Sequence, residues 1–148
     1  MQPLREQLGT GDKRRKVIED ACSVLDQEVA DKSGLTGIAI KAAYKVVKGI
    51  RPGFIPEVVD GLLDEFLDAV EPLYQDAVAN KRSAGSGVRD NPARVADSLL
   101  GVTDRKSERA KSQVVKSAYE KLRPSAKKQV EAACPRLATL LERHAAAA

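Results

Sequence analysis

The sequence predicts an all-α fold, a single-domain bundle of about six helices. Apolar residues recur at steps of three and four along most of the chain, as on one face of a helix. The 148 residues are 43% apolar but include only two Phe, three Tyr and no Trp, so the core must consist of Leu, Val, Ile and Ala. Those residues, with abundant Glu, Lys and Arg, suit helices better than sheets. A chain of this length is expected to form one domain with a substantial core.

The first predicted helix starts near Lys13, with Asp12 as its N-cap, and ends before Ser33-Gly34. Its apolar face is expected to carry Val17, Ala21, Val24, Leu25 and Val29.

The second predicted helix covers residues 35–48, with Ser33 as a plausible cap. Gly49 can close it, and Pro52 prevents its continuation. Its apolar residues predict one wide face for packing on the core: Ile38, Ala39, Ala42, Ala43, Val46 and Val47.

A third helix is predicted to begin with Pro56 in its first turn, to kink or restart at Pro72 and to end near Ala79. Its apolar side consists of Val59, Leu62, Leu63, Phe66, Leu67 and Val70. Its other side is an acidic stripe of Glu57, Asp60, Asp64, Asp68 and Glu71. Gly61 is expected to mark a close helix crossing, since glycine costs a helix about 1 kcal/mol against alanine unless packing requires it.

Residues 80–91 contain two glycines and no apolar period, which predicts a linker. Asn91-Pro92 is expected to open a short helix to Leu100, and Thr103 to cap the next one, over residues 104–122. Pro124 or Ser125 is expected to open the last helix, which reaches Glu142 and bends at Pro135. The tail, residues 145–148, is expected to be disordered.

The two halves of the chain resemble each other, which predicts an internal duplication. Residues 41–44 (KAAY) match residues 116–119 (KSAY), and Arg51-Pro52 matches Arg123-Pro124 at a similar offset. The hypothesis gives two three-helix half-repeats, 13–79 and 92–144, that close on each other.

Catalysis is not expected, because the residues that usually carry it are missing. The only histidine, His144, lies beside an alanine tail, and Cys22 and Cys134 occupy core-like positions. No metal site or cofactor is expected, since ligand spacings such as CxxC and HxxxH are absent. The acidic stripe is read as a solvated or salt-bridged face.

A lysine stripe is the one candidate binding feature, and it is predicted as a possible anion-binding site. It comprises Lys41, Tyr44, Lys45, Lys48 and Arg51. The alternative, which the sequence favours, is that these cations face water or pair with the acidic stripe of the following helix.

Charge is uneven along the chain, with 10 Lys/Arg against 13 Asp/Glu in residues 1–74 and 15 against 8 in residues 75–148. A basic half can indicate an anionic partner, or it can complement the acidic half. Nucleic-acid binding is not favoured but stays open, because the cations are spread around their helices and aromatic residues are few.

No apolar run is long enough for a transmembrane segment, and the first residues lack the apolar core of a signal peptide. Two cysteines do not make a disulfide scaffold, so a cytoplasmic location is the simplest expectation.

Residues 32–56 (KSGLTGIAIKAAYKVVKGIRPGFIP) resemble a family of uncharacterised bacterial proteins of about 140–150 residues. The resemblance extends through residues 102–104, 116–119 and 135–137. It implies an all-helical bacterial cytosolic protein and brings no activity, cofactor or site.

The sequence therefore predicts no specific biochemical activity. The leading expectation is a non-enzymatic helical scaffold or protein-interaction module, with a protein partner or self-association. The alternative is a binder of nucleic acid or a membrane surface, through the lysine stripe and the basic C-terminal half.

Overall fold

The computed structural model describes residues 2–146, and it confirms an all-α, single-domain fold. The described residues contain no strand. Their helices, in chain order, are α1 Leu4–Leu8, α2 Gly11–Asp31, α3 Gly34–Lys48, α4 Phe54–Ala79, α5 Ser86–Asp90, α6 Pro92–Glu108 and α7 Gln113–His144.

The helices of the first half lie close to their predicted ranges. Helix α2 begins two residues before Lys13, so Thr10 and not Asp12 occupies the N-cap position. Helix α4 begins two residues before Pro56 and continues through Pro72 without a break. The turn before α4 depends on Gly53, whose φ of 76° lies in the left-handed region that favours glycine.

Helix α1 was not predicted, although it fills part of the core. Leu4 and Leu8 are both fully buried. The backbone N–H of Leu4 donates to the Glu71 carboxylate at 2.7 Å, which ties α1 to α4. A five-residue helix has too few turns for an apolar period to reveal it.

The acidic stripe of α4 is neutralised from the N-terminal side of the chain. Arg14 of α2 donates to Asp60 and Asp64, each at 2.8 Å, and Arg5 of α1 pairs with Asp68. The interpretation of a salt-bridged face is therefore confirmed, with arginines of α1 and α2 as the main partners. The lysine stripe contributes Arg51 alone, which pairs with Glu57.

The helix boundaries predicted in the second half are wrong. Helix α6 passes through Thr103 and ends at Glu108, and Ser112 caps α7 by accepting from the backbone N–H of Val115 at 3.3 Å. Helix α7 then continues for 32 residues through Pro124 and Pro135. The second half thus has two long helices where three were predicted.

The predicted linker at residues 80–91 is instead a packed part of the fold. It contains α5, and residues 84–88 are all buried. A Cβ on Gly87 would lie 2.6 Å from the carbonyl oxygen of Leu73, and a Cβ on Gly85 would meet the backbone of Ala138. Its glycines therefore permit close contact with α4 and α7, where the sequence pattern suggested flexibility.

The core lies along one face of α7. Cys134, Ala138 and Leu141 recur there at steps of three and four and are buried. Helices α2, α3, α5 and α6 all contact α7. The main cluster of buried apolar side chains draws on α1, α2, α4 and α7 and on residues 84–95, but on no residue of α3.

The two ends of the described chain meet at Tyr74. Its hydroxyl donates to the carbonyl of Ala146 and accepts from the Gln7 amide, both at 2.9 Å. The predicted disorder of the tail is thus wrong for residues 145–146, whereas residues 147–148 lie outside the described residues.

Gly61 does not mark a helix crossing. The residue is exposed, and no atom lies within 4 Å of the position that its Cβ would take. Close approaches that require glycine are found instead at Gly85 and Gly87 in the predicted linker, and at Gly37 in α3.

We expect Gly87→Ala to lower the free energy of unfolding by about 1–3 kcal/mol, because the added methyl group overpacks the contact with Leu73. Gly61→Ala is the matched control and should raise the free energy of unfolding by up to about 1 kcal/mol, since it removes a helix-weakening glycine in open space. Urea denaturation of both variants measures the two effects. Equal destabilisation by both substitutions would contradict this assignment.

Candidate functional site

Helix α3 is apolar on two opposite faces. Its inward face buries Gly37 and Ile40 and half-buries Ala43 and Val47. A Cβ on Gly37 would lie 2.7 Å from the backbone of Lys32, so glycine is needed where the chain turns from α2 into α3. Small and branched side chains along about three turns, from Gly37 to Val47, therefore hold α3 against the bundle.

The outward face of α3 is uncovered. Leu35 is 87% exposed, Ile38 is 67% exposed and Val46 is 55% exposed. Ala39 and Ala42, between them along the same face, are also exposed. The predicted face for core packing is thus wrong for four of its six residues: Ile38, Ala39, Ala42 and Val46 all point away from the core.

Most of the exposed large apolar side chains of the described residues lie on this uncovered face. In the part of the chain that the structure describes, five large apolar side chains are exposed, and three of them belong to α3. The other two, Leu25 of α2 and Val114 of α7, are less exposed than any of these three. Single exposed apolar residues are ordinary, whereas a contiguous set marks an interaction surface.

The residues of the predicted lysine stripe lie in different surroundings. Lys48 donates to Asp26 of α2 at 3.3 Å and lies 5.2 Å from the centre of the Tyr44 ring. Arg51 pairs with Glu57 and stacks over Phe54. Lys41 and Lys45 are exposed and make no salt bridge or hydrogen bond to any residue between 2 and 146. Two cations of the stripe therefore stay available to a ligand.

Tyr44 is held by Asp26, to which its hydroxyl donates at 2.6 Å. Burial and this hydrogen bond raise the pKa of Tyr44, because both disfavour the phenolate. The hydrogen bond from Tyr44, with help from Lys48, lowers the pKa of Asp26. The three side chains form a structural clasp between α2 and α3, which leaves Tyr44 unavailable to an anion.

A second clasp of the same kind joins α6 to α7. Tyr119 donates to Asp104, and Arg123 donates to the same carboxylate at 2.9 and 3.1 Å. In both clasps the cation lies four residues after the tyrosine on the same helix, as Lys48 follows Tyr44. The match favours the internal duplication, which stays a prediction because the later helices of the two halves differ.

Neither thiol is poised as a nucleophile. Burial raises the pKa of the Cys134 thiol to about 11. Burial and the nearby charge of Asp26 also raise the pKa of the Cys22 thiol. Both groups are therefore neutral thiols near pH 7.

His144 is better fixed than the sequence suggested. Its Nε2 contacts the Asp20 carboxylate, which also accepts from Arg143 at 2.8 Å. Together these contacts fasten the end of α7 to α2. Among residues 2–146 no group of three or more His, Cys, Asp or Glu side chains is arranged to hold a metal ion.

Two surface clefts are lined by charges that already have partners. The larger, of about 400 Å³, lies between α4 and α6 and includes Glu65, to which Lys106 donates at 3.1 Å. The smaller, of about 240 Å³, lies between α2 and α7 and includes Asp20 and Arg143. Neither cleft includes a residue of α3.

The α6–α7 clasp leads to a testable titration. Arg123 and then Tyr119 lower the pKa of Asp104. Its carboxylate therefore stabilises the fold above the unfolded-state pKa of about 3.9, and the effect is lost as pH falls through the lower folded pKa. An NMR titration of the side-chain carboxyl carbon should give a midpoint below about 3.9, and Arg123→Gln should raise it.

Lys121→Gln is the control for that titration, because it removes an exposed cation of α7 that does not contact Asp104. It should leave the midpoint in place. A midpoint at the ordinary aspartate value in the unsubstituted protein would contradict the clasp.

Comparison with known proteins identifies a family but no activity. No curated protein and no solved structure matches the chain. Residues 4–145 match the model of a family described as a family of unknown function, DUF6918. The match covers nearly the whole chain and confirms the resemblance to an uncharacterised family, while a bacterial origin stays a prediction. The chain therefore belongs to the family of unknown function DUF6918.

Proposed function

We propose that this protein is a non-enzymatic binding module and that its docking surface is the outward face of α3. One observation carries the proposal: Leu35, Ile38 and Val46 are exposed together on one side of a helix whose other side already packs on the bundle. Monomeric proteins seldom present a contiguous apolar surface unless something covers it in use.

Burial of the exposed apolar side chains of α3 on binding would stabilise a complex. Burying an exposed Leu, Ile or Val contributes about 1.5–3 kcal/mol, so three such side chains supply several kcal/mol to a complex. Association and ordering cost a comparable amount, and the surplus sets the affinity. Because the main core contains no residue of α3, this surface can be covered or uncovered without disturbing the rest of the fold.

The chemistry of the remaining residues supports a role without catalysis. The two thiols are held neutral, and the acidic stripe is paired with arginines. The tyrosines of both clasps have pKa values raised above the ordinary tyrosine value, so neither is a ready proton acceptor or nucleophile.

The basic C-terminal half offers less support as the binding surface. Arg136 donates to Asp31 at 2.7 Å and also pairs with Glu28 of α2. Lys106 and Arg105 both pair with Glu65 of α4. These three cations therefore hold the two halves of the chain together instead of facing a ligand, which favours the outward face of α3 over a nucleic-acid surface on α6 and α7.

Site-specific photo-crosslinking in cells that naturally make the protein tests the proposal. A benzophenone amino acid replaces Ile38 on α3 or, as a control, Lys128, an exposed residue of α7. We expect irradiation to produce a crosslink from position 38, to a protein or to lipid, that position 128 does not give. The same products from both positions, or none from position 38, would overturn the proposal.

A further inference from the structure

We propose that the occupant of the outward face of α3 is the surface of an anionic lipid bilayer. This inference rests on the proposed function, since it names the partner of the same surface. Two separate observations support it: the shape of the outward face of α3 and the positive charge around that face.

The outward face is a ridge and not a groove. Leu35 exposes 87% of its surface and Ile38 exposes 67%, which means that both side chains project from the molecule. A projecting apolar ridge needs a partner that deforms around it, and the boundary between lipid headgroups and acyl chains does so.

The charge around the ridge is positive. Residues 32–56 contain five basic residues and no acidic one. On a helical wheel the exposed apolar side chains of α3 span about 100°, and Lys41 and Lys45 lie along one edge of that arc. Two acidic residues of the neighbouring helix α2 are already paired, Asp26 with Lys48 and Asp31 with Arg136. An anionic surface would thus meet two uncompensated lysines beside apolar side chains.

Other occupants fit this combination less well. A second copy of the chain would bring two lysine-bearing, acid-free helices together, and their like charges would repel. A nucleic acid would satisfy Lys41 and Lys45 but would leave Leu35 and Ile38 against phosphates, which offer apolar side chains nothing to contact. An anionic bilayer satisfies both groups at once.

In the bound state α3 would lie in the plane of the bilayer surface. Its apolar ridge would enter the region between headgroups and acyl chains, with the amino groups of Lys41 and Lys45 reaching the lipid phosphates. The bundle would stay outside the bilayer, and none of the described helices is both long and apolar enough to cross it.

Co-sedimentation of the full chain with vesicles tests the inference. The vesicles consist of phosphatidylcholine alone or of phosphatidylcholine mixed with phosphatidylglycerol. We expect binding at least about tenfold tighter to the anionic vesicles, and weaker binding as salt is raised, because the lysine contribution is screened. Equal affinity for both kinds of vesicle, or no binding to either, would overturn the inference.

Substitutions then separate the two parts of the surface. Leu35→Gln with Ile38→Gln should lower affinity for anionic vesicles at least about tenfold, because the inserted apolar groups are lost. Lys41→Gln with Lys45→Gln should lower it by a similar factor and reduce the salt dependence. All four residues are exposed, so circular dichroism and thermal unfolding should show an intact fold for both double variants.

Lys121→Gln with Lys128→Gln is the matched control, since it removes the same charge from exposed positions of α7. It should bind nearly as well as the unsubstituted chain. An equal loss in this control would show general charge attraction and would overturn the assignment to α3.

The photo-crosslink at position 38 keeps the two proposals apart. A crosslink to protein together with no vesicle binding would overturn the lipid inference and leave the docking surface standing. Absence of both would overturn both proposals.

Discussion

Burial of one face of α7 against four other helices is the constraint on which the rest of the structure depends. At 32 residues α7 is about 48 Å long, so it provides a continuous surface for helices from both halves of the chain. Helix α5 reaches that surface because Gly85 lets its backbone approach Ala138. Helix α2 is held there by Arg136 and Arg143, which pair with its acidic residues. Helix α3 packs on the same helix with one face, and its other face is consequently left outside.

The helical class and the approximate bounds of α2, α3 and α4 follow from the sequence because local signals and packing agree there. The stop between α3 and α4 has a proline followed by Gly53, whose backbone can enter the left-handed region. The corresponding stop in the second half fails because Ser125 occupies the place of that glycine after Pro124. Proline alone removes one helical hydrogen bond and costs about 3 kcal/mol, which the packing of a long helix can offset. The low helix propensity of Pro124 and Pro135 was therefore outweighed by tertiary packing contacts, which no local sequence pattern reveals.

Glycine illustrates the same limit at single positions. Gly61, in the middle of an apolar helix, has open space where a crossing was expected, whereas Gly87 lies against the Leu73 backbone in a segment that was expected to be a linker. The sequence shows where a glycine is, but only the tertiary arrangement shows whether a neighbouring atom would contact a Cβ added at that position.

Much of the candidate site was missed because the sequence does not show which side of α3 faces the bundle. Apolar residues cover both faces of α3, and periodicity cannot indicate which of the two faces the bundle will cover.

The charged residues divide into those that assemble the fold and those left over. Arg5 and Arg14 pair with the acidic stripe of α4, the two tyrosine clasps join neighbouring helices, and Lys41 and Lys45 stay unpaired beside the apolar ridge of α3.

The exposure of the apolar ridge of α3 is measured most directly by hydroxyl-radical footprinting of the purified protein, read by mass spectrometry. The structure predicts rapid oxidation of Leu35 and Ile38 and strong protection of Leu4, Leu8 and Leu141. Protection of Leu35 and Ile38 equal to that of Leu141 would show that the bundle itself covers α3, and would contradict the docking surface.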